Sequence, residues 1–574
     1  MTSRARRALG AVMVTAALLV VTACTGLPTT GDVQSGLALG ASPEDPDFLP
    51  LASGPIEGAG PSAIVEGFME AAITPADNWD TARKFLTPEM AASWRPNTGV
   101  SIDVSADSRS FTSSIDDETD DEAADGETAD VRVQFEQVAS VDGTGAFSQA
   151  VSASNSAFVV TRTDGQWRIS EAPDGIVIDE SRFPRVYGDY ALQYYDQTWE
   201  RLVPDVRWFP RRVTIATTIT QSLIGGAPSP WLDPAVQSAF PPDVQMARDA
   251  VPIDADQVAD VALNREALSL DATTLARMRT QLQETLAAAG VQINQVRFTV
   301  DGRALEAGVV EIVDVPSDGG GIVLKEGAFG TVVGNQITPI PGVSEEILGI
   351  TQPILAIDVA GDDSHAAMQL GNGHVYIAGD GRVDELDPRS FLVRPSLDPY
   401  DYTWSVPSNA PSALLAIGDD VVSHPIADAW PEASEVSAIR VSADGARVAA
   451  VVMVGGQRWV VVSAVVRDDS GIPTRLGETE RVAQLDAPVA GLVWLGSDRV
   501  GLLVDGEDRT VLTQIVGGSG TTESAPSGAV SIAGSRSAAG IRVLGAEGAV
   551  YARSGSAWSE FTDGVIVLAT RAGR

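Results

Sequence analysis

Among the residues of this chain that could do chemistry, a single thiol comes first. Cys24 is the sole cysteine in 574 residues, and it closes the run Val21-Thr22-Ala23-Cys24. An aliphatic residue, two small residues and a cysteine have the form of a bacterial lipobox. There the thiol takes a diacylglycerol and the chain is cut just before it. What precedes Cys24 fits that chemistry. Arg4, Arg6 and Arg7 are followed by sixteen uncharged residues, 8–23. That is the layout of a secretory signal, and it falls short of the ~20 apolar residues a membrane-spanning helix needs. Each buried acyl methylene contributes about 0.8 kcal/mol, so two or more chains make a stable anchor. Once Cys24 is acylated, no thiol is left for a disulfide, a zinc–thiolate site or a cysteine nucleophile.

The other reactive side chains form no convincing constellation. His365, His374 and His424 lie nine and fifty residues apart in a strand-rich region and are expected to be structural. The serine-hydrolase, zincin and P-loop motifs do not occur. Nine acids crowd residues 116–130. The one EF-hand alignment that places Gly126 correctly puts Ala123 at a ligand position and Arg132 where a bidentate Glu belongs. A solvated acidic loop is the better reading. Asp362-Asp363 and Asp419-Asp420 read as turn residues. Trp404, Trp430, Trp459 and Trp494 could line a carbohydrate groove, but core packing is favoured. The expectation is a protein without catalytic residues, metal or cofactor, and no ligand-binding residue is identified.

The elements that position these residues fall into four regions. After the signal segment 1–23, residues 24–60 are rich in Pro, Gly, Asp and Ser and read as a tether. In 61–180, Ile64, Val65, Phe68, Met69 and Ala72 recur at helical spacing. Two shorter helical pieces follow at 79–86 and 87–94, with Thr87 as N-cap before Pro88. Alternating segments at 131–135, 157–161 and 167–170 predict strands, the last two joined by a hairpin turn at Thr163-Asp164-Gly165-Gln166. This is a small α+β domain.

Residues 187–315 mix types. Strands are expected at 192–195, 202–207, 245–251, 258–260 and Gln295–Val300. Helices are expected at 213–223, ended by Gly225-Gly226, and at Ala272–Ala288. The stripe of the second helix is Leu275, Met278, Leu282 and Leu286, with Gly290 as C-cap. From 319 to 574 helical periodicity disappears and apolar strands alternate with Gly/Asp/Ser turns. Segments at 354–366, 436–452, 489–504 and 530–543, with a fifth starting near Tyr402, repeat one pattern. The clearest pair is Ser442-Ala443-Asp444-Gly445-Ala446-Arg447-Val448-Ala449 and Leu495-Gly496-Ser497-Asp498-Arg499-Val500-Gly501. Their spacings of roughly 35–55 residues are irregular but near the ~40–50 of propeller blades, and predict a β-propeller in preference to a sandwich, with the number of blades open. The fold class is therefore multidomain, α+β followed by all-β.

Charge narrows the partners. The formal net charge is −38, and removing 1–23 takes away three arginines and no acid, giving −38 − 3 = −41. So acidic a chain, with no basic stripe, is a poor match for nucleic acid or anionic headgroups. The length suits three or four domains.

The order of regions resembles one family, the LpqB-type lipoproteins of actinobacteria. The residues that carry the likeness are Cys24 with Leu27-Pro28-Thr29-Thr30-Gly31, Ile64-Val65-Glu66-Gly67-Phe68 and Ala82-Arg83-Lys84-Phe85-Leu86-Thr87. The domain at 187–315 resembles a GerMN domain through Leu202-Val203-Pro204, Arg207, Leu223-Ile224-Gly225-Gly226-Ala227-Pro228, Ala239-Phe240-Pro241 and Gln281-Leu282-Gln283-Glu284-Thr285-Leu286. Leu223-Ile224-Gly225-Gly226 departs conservatively from the usual Leu-Gly-Pro type of ending. The resemblance implies a C-terminal propeller and regulation rather than catalysis. It implies a palmitate-type lipid anchor at Cys24 on the extracytoplasmic face of the cell membrane. It also implies a contact with the extracytoplasmic part of the sensor kinase MtrB that affects phosphorelay to MtrA, cell-wall homeostasis and division. The alternative is a lipoprotein that binds cell-wall glycan (peptidoglycan) and has no signalling role. A wall hydrolase or lyase would need an acid/base pair that the sequence does not reveal.

Overall fold

The computed structural model describes residues 53–115, 124–313, 321–333, 336–535, 537–555 and 557–572. Cys24, the signal segment, most of the tether and residues 116–123 of the acidic loop lie outside the described residues.

The first domain opens on the helix Pro61–Ala72, which buries Ile64, Val65, Phe68, Met69, Ala71 and Ala72. Phe68 meets Trp94 and Phe158 edge-on, with centroids 5.1 and 6.0 Å away. The two short pieces follow, as Asp80–Arg83 and Pro88–Ser93. Thr87 caps the second, its Oγ1 accepting from the Met90 amide at 3.3 Å. The strand Thr128–Asp142 alternates exposed and buried side chains along its first eight residues. It pairs with Phe147–Thr163, which turns into Gln166–Glu171. Asp164 and Gly165 both take positive φ (51° and 71°), as a two-residue hairpin turn requires. The sheet is not purely antiparallel: Gly99–Asp103 runs parallel to Ile176–Asp179.

The second domain packs Ile215–Gly225 and Ala272–Ala288 against two small sheets. In one, Tyr187–Asp196 pairs antiparallel with Leu202–Pro210. In the other, Val258–Ala262 lies parallel to Gln295–Val300. All four stripe residues of the long helix are buried. Asp271 caps its start, accepting from the amides of Thr273 and Thr274. At its end the Gly290 and Val291 amides return to the carbonyls of Ala287 and Leu286, with Gly290 at φ 72°. The same helix grips the strand beside it. The Gln281 amide group donates to Gln193 O and accepts from Ala239 N, both at 2.8 Å, while Thr285 Oγ1 accepts from Gln193 N at 3.0 Å. The expected strand at 245–251 does not form. Met246 makes a single bridge to Leu263, and residues 247–250 are exposed. Without a buried alternate face the segment has nothing to hold a register.

The third domain is a six-bladed propeller. Five blades are consecutive four-stranded antiparallel units, beginning at Ile354–Val359, Ser396–Leu397, Glu435–Val441, Val489–Leu495 and Ala529–Ala533. We number them 1 to 5. The sixth is assembled from both ends of the domain. Val565–Arg571 supplies its inner strand, paired antiparallel with Ile322–Lys325, and Ala328–Val333 and Gln336–Thr338 complete it. Val565–Arg571 also runs parallel to the inner strand of blade 1, closing the ring. One short helix, Ser344–Leu348, interrupts the strands where none was expected.

The interdomain junction as candidate functional site

The strand Leu202–Pro210 is unlike a surface strand: residues 203–209 are all buried. The reason is that both of its faces are covered. Trp208, 4% exposed, packs on Phe147 and Phe183 of the first domain at 6.0 and 4.8 Å between centroids. Its amide donates to Gly145 O at 2.8 Å. On the other side its indole Nε1 donates to Gly517 O in blade 4, at 2.9 Å. One residue therefore touches all three domains.

Around Trp208 the second domain sits on the propeller face that carries the turns between first and second strands and between third and fourth strands. Tyr400, in the first turn of blade 2, donates its hydroxyl to Asp196 Oδ2 at 2.6 Å. Burial, and then the Asp196 carboxylate, push that phenol up to about 12, so it stays a donor. The Arg467 guanidinium stacks 4.1 Å from the Tyr400 ring centroid and pairs with the fully buried Asp398 at 2.7 Å. The Arg467 amide donates to Gln197 Oε1 at 3.0 Å. Arg499 of blade 4 pairs with Asp189 at 2.9 Å. Ala446 and Ala464 of blade 3 are part of the second domain's own hydrophobic core. Beneath the junction lies a buried pair. Asp205 accepts from Arg207 Nη2 at 2.7 Å and from the Ser229 amide and hydroxyl, both at 2.8 Å. Arg207 Nη1 continues to Thr144 in the first domain at 2.9 Å. Removing one partner of such a pair costs more than the pair contributes, because the survivor stays buried and charged.

The residues singled out for chemistry are dispersed. His365 hydrogen-bonds its neighbour Ser364, His374 pairs with Glu385 at 2.6 Å, and His424 lies edge-on to Tyr402. Among the described residues no three His, Cys, Asp or Glu gather to hold a metal ion. Asp362 and Asp420 accept from amides two residues on, as turn residues do. Trp404 and Trp430 are core residues at 0% and 3% exposure. Trp494 donates to Arg440 O between blades, and Trp459 is covered by Arg481. These tryptophans form no shared groove. Sequence reasoning singled out Arg207, Ala446 and Arg499 but not the junction they form, and it missed Trp208, because Asp205-Val206-Arg207-Trp208 alternates polar and apolar like a strand with one exposed face.

Among the described residues no helix is long and apolar enough to cross a membrane.

Three family models match in chain order. Residues 54–184 match the N-terminal domain of lipoprotein LpqB, 191–306 match a domain described as sporulation and spore germination, and 327–567 match the lipoprotein LpqB beta-propeller domain. Similar curated proteins are lipoproteins LpqB. That of Streptomyces coelicolor is 26% identical over 87% of this chain and 86% of its own. That of Nocardia farcinica is 24% identical over 90% of each, and that of Thermobifida fusca 26% over 92% of each. A solved nidogen/laminin complex contains a chain that overlaps 42% of this one and 92% of itself, at TM-score 0.32 and 10% identity.

Proposed function

Because the chain belongs to the LpqB lipoprotein family, we propose that it is a lipid-anchored accessory protein on the extracytoplasmic face of the cell membrane, where it contacts the sensor kinase MtrB. Through that contact it modulates the MtrA–MtrB two-component system and, with it, cell-wall homeostasis and division. Cys24 carries the lipid, and residues 24–60 carry the body away from the bilayer.

The observation that supports a regulatory body is the junction at Trp208. A contact made by any one of the three domains reaches the other two through a buried residue. Among the described residues, the junction contacts come from one face of the propeller, which leaves the opposite face as the one proposed to meet a partner. Regulation by binding requires that one signalling state of the kinase be bound more tightly than the other, since equal affinity shifts nothing. A tenfold preference corresponds to about 1.4 kcal/mol.

The test is to reconstitute the full lipidated chain with full-length kinase in vesicles and follow autophosphorylation. A dose-dependent change that Cys24→Ala loses supports the reading. No change at saturating lipoprotein, or capture only on purified peptidoglycan, contradicts it.

A further inference from the structure

The propeller encloses a cavity of about 190 Å³ on its axis, lined by the inner strands. Its walls hold two arginines, Arg394 and Arg440, and they are not equivalent. Arg440 is saturated. Its Nη1 pairs with Asp358 at 2.8 Å and reaches Pro395 O, its Nη2 donates to Thr570 at 2.9 Å, and its Nε donates to Leu492 O at 3.3 Å. Asp358 is spent on the same cluster, accepting also from the Leu397 amide and the Thr570 hydroxyl. Arg394 has only a 3.5 Å approach to Ser531 Oγ. Among the described residues no carboxylate pairs with it. Arg394 lines the cavity, and its side chain is exposed.

The cavity thus carries two positive charges and one negative in a protein whose net charge is −38. Asp358 balances Arg440, which leaves the Arg394 guanidinium available to an anion at the cavity wall. The inner strands run in one direction, and Leu355 and Ile566 lie near their starts, on the face away from the second domain. These two are 50% and 59% exposed and also line the cavity. Arg394 comes two residues before the inner strand of blade 2, Ser396–Leu397, and so stands at this same end, beside the apolar rim. At 190 Å³ the space is below the ~300–1,000 Å³ of sites for drug-sized ligands.

We propose that the axial channel of the propeller binds a small oxyanion, a carboxylate or a phosphate, with Arg394 as its principal ligand and the apolar entrance covering whatever short carbon chain it bears. The guanidinium fork matches either head group with two parallel N–H donors. The inference stands apart from the proposed kinase contact, and the binding test below does not involve the kinase.

The test is calorimetry on the purified full chain at fixed ionic strength, with inorganic phosphate, acetate and butanoate as separate titrants. One site per chain is expected for at least one of them. Binding of butanoate but not phosphate identifies a carboxylate site, and the converse identifies a phosphate site. Arg394→Gln is expected to weaken the bound anion roughly 10- to 100-fold, the loss of a charge-assisted contact, and Arg394→Lys to restore part of it. Arg394 makes so few contacts that its loss leaves the fold intact, which an unchanged unfolding temperature checks. Leu355→Glu, at the half-exposed entrance, supplies an internal carboxylate and is expected to abolish binding. If none of the three anions binds below about 10 mM, or if Arg394→Gln leaves the affinity unchanged, the proposal is overturned.

Discussion

Replacing Trp208 with alanine should release the three domains from one another. The indole is almost fully buried, contacts two aromatic rings of the first domain and donates one hydrogen bond to the propeller. Truncating a buried Trp to Ala costs about 3–5 kcal/mol. A multidomain chain need not unfold in one step, so the loss is better read locally, by hydrogen exchange. The amides to watch are Val516 and Gly518, in the blade 4 turn beneath the indole. If their exchange requires the junction to open, 3–5 kcal/mol becomes a rise of roughly 10²- to 5 × 10³-fold in rate. Trp208→Phe separates the two contributions. It keeps an aromatic ring against Phe147 and Phe183 but leaves Gly517 O without its donor, a loss of about 0.5–1.5 kcal/mol. That corresponds to roughly a two- to tenfold rise. Exchange within threefold of wild type in Trp208→Ala would refute the idea that this residue ties the domains.

Three further outcomes follow from the same geometry. Arg447 is 1% exposed, pairs with Asp444 and lies 4.8 Å from the Trp494 ring centroid, so Arg447→Ala should destabilise the propeller by about 3–5 kcal/mol in denaturant unfolding, because Asp444 is left buried and unpaired. Ending the chain at residue 563 removes Val565–Arg571, the inner strand of the closing blade, and should yield protein that binds hydrophobic dye and is cut rapidly by protease. Burial raises the carboxyl of Asp498, against the attraction of Arg499. A folded value above the unfolded ~3.9 means that the charged form destabilises the fold at neutral pH and that this penalty fades as pH falls through the raised value. Asp498→Asn should therefore raise the unfolding temperature at pH 7 and lose that advantage in acid.

Local elements were readable where one physical signal dominated. The helix Ala272–Ala288 has its N-cap, apolar stripe and terminal glycine all in sequence, and the Asp164-Gly165 turn announces its hairpin. The propeller was readable as a repeat, but the blade number was not. Blade 2 is built from strands of only two or three residues, and the inner strand of the sixth blade comes from the far end of the domain. The segment 245–251 misled because residues 247–250 between its apolar ends are exposed and only Met246 makes a bridge. The junction was hidden for another reason. Trp208 and Gly517 are 309 residues apart, and Asp196 and Tyr400 are 204 apart. Each is one residue on a turn or strand, and no local pattern encodes their meeting. The axial cavity is the same kind of case: Arg394, Ser531 and Asp358 come from three blades.

The most direct test of the account is photo-cross-linking in living cells, with the probe placed on the propeller face opposite the junction and the lipid on Cys24 read by clickable fatty acid in the same samples. The account predicts acylated protein joined to the sensor kinase MtrB, with both signals lost in Cys24→Ala. Acylated protein that never cross-links to the kinase from that face or from either smaller domain would contradict it.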